Sequence, residues 1–232
     1  MALINNIVSY WKLDGNSTDA AGTNNGTDTA ITYGTANGRI NQGALYNGTT
    51  SNINLGNVLG STFVAAHSVS GWMFPTGGSF AGLIGKTSGG IPHPIDYYID
   101  VGSRLFVAYL GNGTTTYMFT RTPNSSITLN AWNFITVTYD GSATIAGIRI
   151  YINGVSQTLT PGGTNMTPTN GTNSAIIGSR SDAVTTLTGN MDEVGIWSRV
   201  LSAAEVSTLF NNGAGLSHPF TTTNANFLAF MG

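Results

Sequence analysis

The chain contains no cysteine, which excludes disulfides and thiolate metal sites and leaves the redox compartment open. Charge is scarce as well. Charged residues are 8% of the 232, against about 25% in an average globular domain. The eight lysines and arginines are scattered singly around a net charge of −2. With no basic stripe, nucleic acid and anionic membranes are not the expected partners. Glutamate occurs only at Glu193 and Glu205. No run of about 18 apolar residues offers a membrane-crossing helix. The opening residues, Met1 to Asn6, show neither the basic nor the apolar region of a secretory signal.

What is present is apolar sequence cut into short pieces. Hydrophobic residues are 41% of the chain, enough for a core and too many for disorder. Strand-like runs such as 97–101, 104–110, 115–121 and 133–139 alternate with Gly- and Asn-rich clusters, the pattern of an all-β sandwich. Asn153-Gly154, between Ile150-Tyr151-Ile152 and Val155, supplies the positive φ of a tight hairpin. Only Leu201 to Asn211 reads as a helix. Ser202 stands three residues before Glu205 as a capping box, and Gly213 follows as a stop. Just before it, alternation along Gly189–Trp197 predicts Val194 and Ile196 on one face and Met191 and Trp197 on the other. No repeat or linker interrupts residues 1–213, which form one domain. Residues 214–232 form a separate tail ending Phe227-Leu228-Ala229-Phe230-Met231-Gly232.

Six blocks in order carry a resemblance. They are Ile7–Asp14, Gln42–Gly48, Ser68–Met73, Trp132–Gly141, Ile150–Val155 with Ile176–Arg180, and the closing strand–helix pair at 189–213. Together they resemble the laminin-G-like domain of the concanavalin A-like lectin/glucanase superfamily. The resemblance implies a two-sheet antiparallel jelly-roll sandwich with one short C-terminal helix. Glycosidases on this fold resemble one another in a Glu-x-Asp-x-Glu strand, whose spacing sets acid and nucleophile on one face. Here Glu205 belongs to the capping box and Glu193 has no carboxylate two residues away. Asp96 and Asp100 share a face without a glutamate partner. His67, His93 and His218 lack metal-ligand spacing and are expected as ordinary polar surface or turn residues.

Binding is therefore the expected activity: a non-enzymatic lectin-like module for carbohydrate or a protein surface. The alternative is a purely structural virion decoration or appendage subunit. A glycoside hydrolase is disfavoured. The expected setting is extracellular or a virion surface, without nucleic acid or membrane insertion. Candidate glycan-binding residues are Tyr98, Arg104, Tyr109 and Tyr117, with Tyr97 and Arg121 nearby and half the tyrosines turned inward by alternation. The loop Gly85–Pro94 would form a rim. Trp11, Trp72, Trp132 and Trp197 are expected in the core. The resemblance also implies a structural Ca²⁺ between first and last strands, for which Asp192 and Asp14 are the matching residues; hard oxygen ligands suit that ion. The tail either covers an apolar patch of its own sandwich or docks on a neighbour.

Overall fold

The computed structural model describes residues 2–86, 93–113, 115–180 and 186–220. Sixteen strands appear among them. They are β1 (Ile7–Trp11), β2 (Thr27–Thr29), β3 (Thr32–Gly34), β4 (Gly43–Asn47), β5 (Asn52–Asn54), β6 (His67–Gly77), β7 (Phe80–Lys86) and β8 (Ile95–Asp100), then β9 (Leu105–Gly111), β10 (Tyr117–Arg121), β11 (Asn133–Tyr139), β12 (Ile148–Ile152), β13 (Val155–Ser156), β14 (Thr160–Gly163), β15 (Ala175–Ile177) and β16 (Thr188–Trp197). All pairings are antiparallel. One sheet runs β13-β12-β11-β6-β16-β4-β3, with β1 also paired to β16. The other runs β14-β10-β9-β8-β7-β15-β5-β2. The result is the expected jelly-roll sandwich.

Alternation explains the layers. In β8, Ile95, Tyr97 and Ile99 enter the core shared by the sheets, and Ile135 and Val137 of β11 meet them from the other side. The hairpin of β12 and β13 turns at Asn153 (φ 52°) and Gly154 (φ 78°), as the Asn-Gly pair predicts.

The β16 faces differ from simple alternation. Register shifts between Asp192 and Gly195, where Glu193 takes φ 52°. That bulge inserts a residue and reverses the parity. Met191 thus joins Val194 and Ile196 in the central core, and Trp197 alone turns to the outer face.

The outer face of the first sheet carries a second apolar cluster, in which Tyr10, Trp72, Phe134 and Trp197 lie under α2 (Ala203–Phe210). Its capping box is complete: the Ser202 hydroxyl accepts from the Glu205 N–H, and Glu205 accepts from the Ser202 N–H at 2.9 Å. Arg199 grips the same carboxylate at 2.9 and 2.7 Å and holds its pKa down near 2. Val206 and Leu209 are buried, and Phe210 packs on Trp72 and Phe134. A five-residue helix, α1 (Gly60–Val64), was not expected. Its N-cap is Leu59 in the left-handed region with no side-chain cap, so it leaves no sequence signature. The described part of the tail lies on its own sandwich: Phe220 stands edge-on to Tyr10 at 5.3 Å and stacks on Trp197 at 6.2 Å. The remaining tail, 221–232, lies outside the described residues, as does most of the expected rim loop (87–92).

Candidate binding groove

Among the described residues, no α-helix lies over the second sheet's outer face. Tyr98 and Asp100 of β8, Leu105, Val107 and Tyr109 of β9, and Tyr117, Phe119 and Arg121 of β10 all point there, since their odd-numbered or even-numbered neighbours fill the core. Cross-strand register sets Tyr109 beside Phe119, and Val107 between Tyr98 and Arg121. An open groove of about 730 Å³ follows these rows. Leu105 and Val107 form its apolar floor. Tyr117, 39% exposed, stacks on Tyr109 (5.2 Å, 21°) and on Phe119 (6.2 Å, 25°). Ser103, Thr122, Asn124 and Thr160 add polar groups along the edge. The Phe119 ring is seated over Gly162, where any Cβ would collide with it.

One end is closed by a crossing segment. Ser179 and Arg180 pass so close over Gly82 that a Cβ there would collide with the Ser179 backbone. Arg180 then lies over the rings of Tyr98 (4.1 Å) and Phe80 (4.7 Å) and donates from Nε to Asp96 Oδ2 at 3.0 Å. Burial raises the Tyr98 hydroxyl's pKa, and Arg180 partly opposes that. Burial also raises Tyr109, whose hydroxyl has no hydrogen-bond partner among the described residues.

Of the sequence-derived site residues, Tyr98, Tyr109 and Tyr117 come together in the groove, with Arg121. Arg104 does not line it; at the β8–β9 turn it donates to Ser125 Oγ at 2.7 Å. Tyr97 points inward. There its hydroxyl donates to His67 Nε2 at 2.7 Å, while His67 Nδ1–H donates to Ala65 O at 2.9 Å. His67 is thus no surface residue: it is fully buried, and burial lowers its pKa to about 4. Asp96 and Asp100 do share the outer face, but Asp96 pairs with Arg180 and Asp100 accepts from Ser103. Phe119 and Arg180 were missed, and Asp96, weighed from the sequence only as a catalytic carboxylate, is the partner that holds Arg180. Phe119 was findable, two residues from Tyr117; Arg180 arrives from a distant loop and gives no local signal.

At the opposite sheet, Asp192 Oδ2 accepts from the Arg39 and Ile40 N–H groups, both at 2.7 Å, and Asp14 Oδ1 accepts from the Gln42 N–H at 2.9 Å. Together they pin the 39–42 loop. Asp192 Oδ1 and both Glu193 carboxylate oxygens are buried without partners among the described residues; the Tyr10 and Ser217 hydroxyls approach Glu193 without closing a well-aligned bond. Burial, reinforced by the neighbouring carboxylates, raises Asp192 to about 8 and Glu193 to about 7. Such oxygens fit a hard cation chemically. No three acidic or histidine side chains among the described residues form a ligand set, so backbone carbonyls would have to complete it.

A family model described as the concanavalin A-like lectin/glucanases superfamily, of the laminin-G type, matches residues 47–207. No curated protein sequence matches the chain significantly. Among solved structures, domain 4 of AbnA, a GH43 extracellular arabinanase from Geobacillus stearothermophilus, in complex with arabinotriose, is 21% identical with a TM-score of 0.57. That match covers 87% of this chain and 96% of that one. The binding domain of Paraclostridial Mosquitocidal Protein 1 is 17% identical (TM-score 0.59, 91% and 53% covered). Trypanosoma rangeli sialidase, in complex with 2,3-difluoro-KDN, is 14% identical (TM-score 0.63), covering 90% of this chain and 33% of that one. The chain thus spans about a third of the sialidase, and at these identities the likeness concerns the fold. No described helix is long and apolar enough to cross a membrane.

Proposed function

Since the chain belongs to the concanavalin A-like lectin/glucanase superfamily, we propose that it is a non-enzymatic module binding carbohydrate along the outer groove of its second sheet. The observation that carries this reading is the stacked series Tyr109–Tyr117–Phe119 beside Asp100, Arg121 and Asn124. Sugar rings present apolar C–H faces that lie on aromatic rings, and their vicinal hydroxyls bond carboxylate, guanidinium and amide groups. Such a site is mostly apolar with a few convergent polar groups. Asp100 is the one carboxylate in the described lining. Cleavage of a glycosidic bond by the usual route needs two, which supports binding without hydrolysis. The arabinanase domain with its arabinotriose supports the ligand class. The reading places the module on an outer surface, that of a secreted protein or a virion appendage. A broad glycan array tests it: neutral oligosaccharide hits are expected, and silence across the array would leave a purely structural appendage.

Calcium is a second reading, favoured by the orphaned oxygens of Asp192 and Glu193. When bound, the ion would neutralise charge that burial now opposes, with Asp192 and Glu193 holding it and Asp14 fixing the adjoining loop. A ligand bound only by the native state at a hundred times Kd adds about 2.7 kcal/mol. EDTA should therefore lower Tm by several degrees. Unchanged melting in chelator, with no calcium by elemental analysis, removes the ion.

A further inference from the structure

On the first sheet, the cover over the outer face stops short. The helix α2 ends at Phe210, which packs on Trp72. Beyond it, Phe74 and Trp132 continue the aromatic surface, only half-buried, with ring centroids 5.5 Å apart. Trp72 stands edge-on to Trp132 at 6.5 Å, and the Arg39 guanidinium lies 5.2 Å from the Trp72 ring. These side chains, with Asn153 and Gly213, surround a cleft of about 370 Å³. It lies on the other sheet from the groove and shares no residue with it.

The polar groups of this cleft are one-sided. Arg39 Nε and Nη2 donate to Gly213 O, which fixes the side chain, and Nη1 makes no bond among the described residues. Asn153 uses its carbonyl oxygen to accept from the Phe134 N–H and leaves its amide N–H₂ unpaired. The Trp132 indole N–H likewise finds no acceptor there. No carboxylate lines the cleft, and Arg39 is its one charged side chain. An aromatic wall beside a cation and two neutral donors complements a ring that carries a negative charge. The volume suits one or two sugar residues rather than a polymer.

We propose that the Arg39–Trp132 cleft is a second binding site, for a carboxylate-bearing pyranose: the sugar ring lies against Trp132 and Phe74, and its carboxylate meets Arg39, with Asn153 and the Trp132 N–H donating to ring substituents. A charge-assisted bond to a held guanidinium then separates acidic sugars from their neutral counterparts. The site does not depend on the groove, so a molecule with both would engage a neutral and an acidic glycan on opposite faces.

Trp11 and Trp197 are buried away from the cleft, and Trp72, which lines it, is only 2% exposed, so Trp132 is the cleft's more exposed indole and fluorescence reads the cleft directly. The full chain would be titrated with a uronic-acid disaccharide, a sialic-acid disaccharide and, for each, the form whose carboxylate has been converted to an amide. A saturable Trp signal is expected with one or both acids, at least tenfold weaker with the amides, absent in Trp132→Phe and at least tenfold weaker in Arg39→Gln. Arg39→Lys should recover part of the affinity. Groove variant Tyr117→Ala should leave the titration unchanged, so loss of neutral-glycan binding and loss of this site remain separate results. Equal response to acid and amide would overturn the charge assignment. No response by either acid, in a chain with wild-type Tm, would overturn the site, as would full-chain silence that gives way to binding once residues 221–232 are deleted, since the tail would then be the occupant.

Discussion

The two outer faces of the sandwich are built by the same alternation and meet opposite fates. On the first sheet, Tyr10, Trp72, Phe134 and Trp197 are covered by α2, Leu3 and the beginning of the tail, and they are as buried as the central core. On the second sheet, Tyr98, Tyr109, Tyr117 and Phe119 stay partly open, with no helix among the described residues over them. Aromatic side chains dominate both. The difference lies in what accompanies them: capping and packing residues on one side, and Asp100, Arg121, Asn124 and Thr160 on the other. An aromatic stripe therefore says little alone. Whether the chain returns to cover it decides between stability and recognition.

The largest test of that contrast is Leu209→Ala. Leu209 is 2% exposed in the covering helix, and removing it leaves a cavity against the first sheet worth about 2–5 kcal/mol. Chemical denaturation should show the loss. A cost below 1 kcal/mol would mean that the cover is loosely attached and that both faces are effectively open.

Acid tests the core between the faces. His67 is held neutral with its pKa lowered to about 4, against about 6.5 unfolded. The unfolded chain therefore binds more protons between those values, and this contribution is full above about 6.5 and lost as pH falls through 4, on the order of 3 kcal/mol in total. Asp192 and Glu193 act oppositely. Their raised values stabilise the fold at low pH and lose that contribution as pH rises from about 4 towards 8 and 7. Bulk stability sums both, so the resolving measurement is NMR titration of the His67 ring. A midpoint near 6.5 would show that His67 reaches water. Smaller still is Ser202→Ala, which removes half of the capping box at a cost of about 1 kcal/mol in thermal melts; no change would leave Arg199 and Glu205 as the whole cap.

Much of the sandwich was legible because its signals are local. Asn153-Gly154 fixes a hairpin through backbone preference, and Ser202 with Glu205 fixes a helix start through two reciprocal bonds. The inward turn of Tyr97 against Tyr98 follows from period two. What was illegible depends on contacts distant in sequence. The bulge at Asp192–Glu193 reverses the face of Met191, and nothing in the flanking alternation marks it. Burial of His67 rests on Tyr97, thirty residues away. The groove's closed end is made by Arg180, which reaches Asp96 across 84 positions. Trp132 reads like the other three tryptophans, and only the length of α2 leaves it at the edge of the cover.

The smallest expected effect on stability is also the sharpest test of the open face. Tyr117 is 39% exposed, at the start of β10 on the sheet's outer face, and stacks on Tyr109 and Phe119 without filling a closed space. Tyr117→Ala removes aromatic contacts worth about 0.5–1.5 kcal/mol, and part of that returns as relief of apolar exposure, so the net change in Tm should be within a few degrees. Binding should respond differently. With Tyr117 gone, the Tyr109–Phe119 series loses its middle ring, and a sugar lying along it loses both stacking surface and registry with Asp100 and Arg121. Neutral-glycan affinity should fall at least tenfold, measured by calorimetry on the strongest array hit. Leu209→Ala should show the converse: large loss of stability and unchanged affinity at a temperature where the variant is folded. If Tyr117→Ala instead destabilises as strongly as Leu209→Ala, the second face is a core awaiting its own cover, and the contrast between the two sheets disappears.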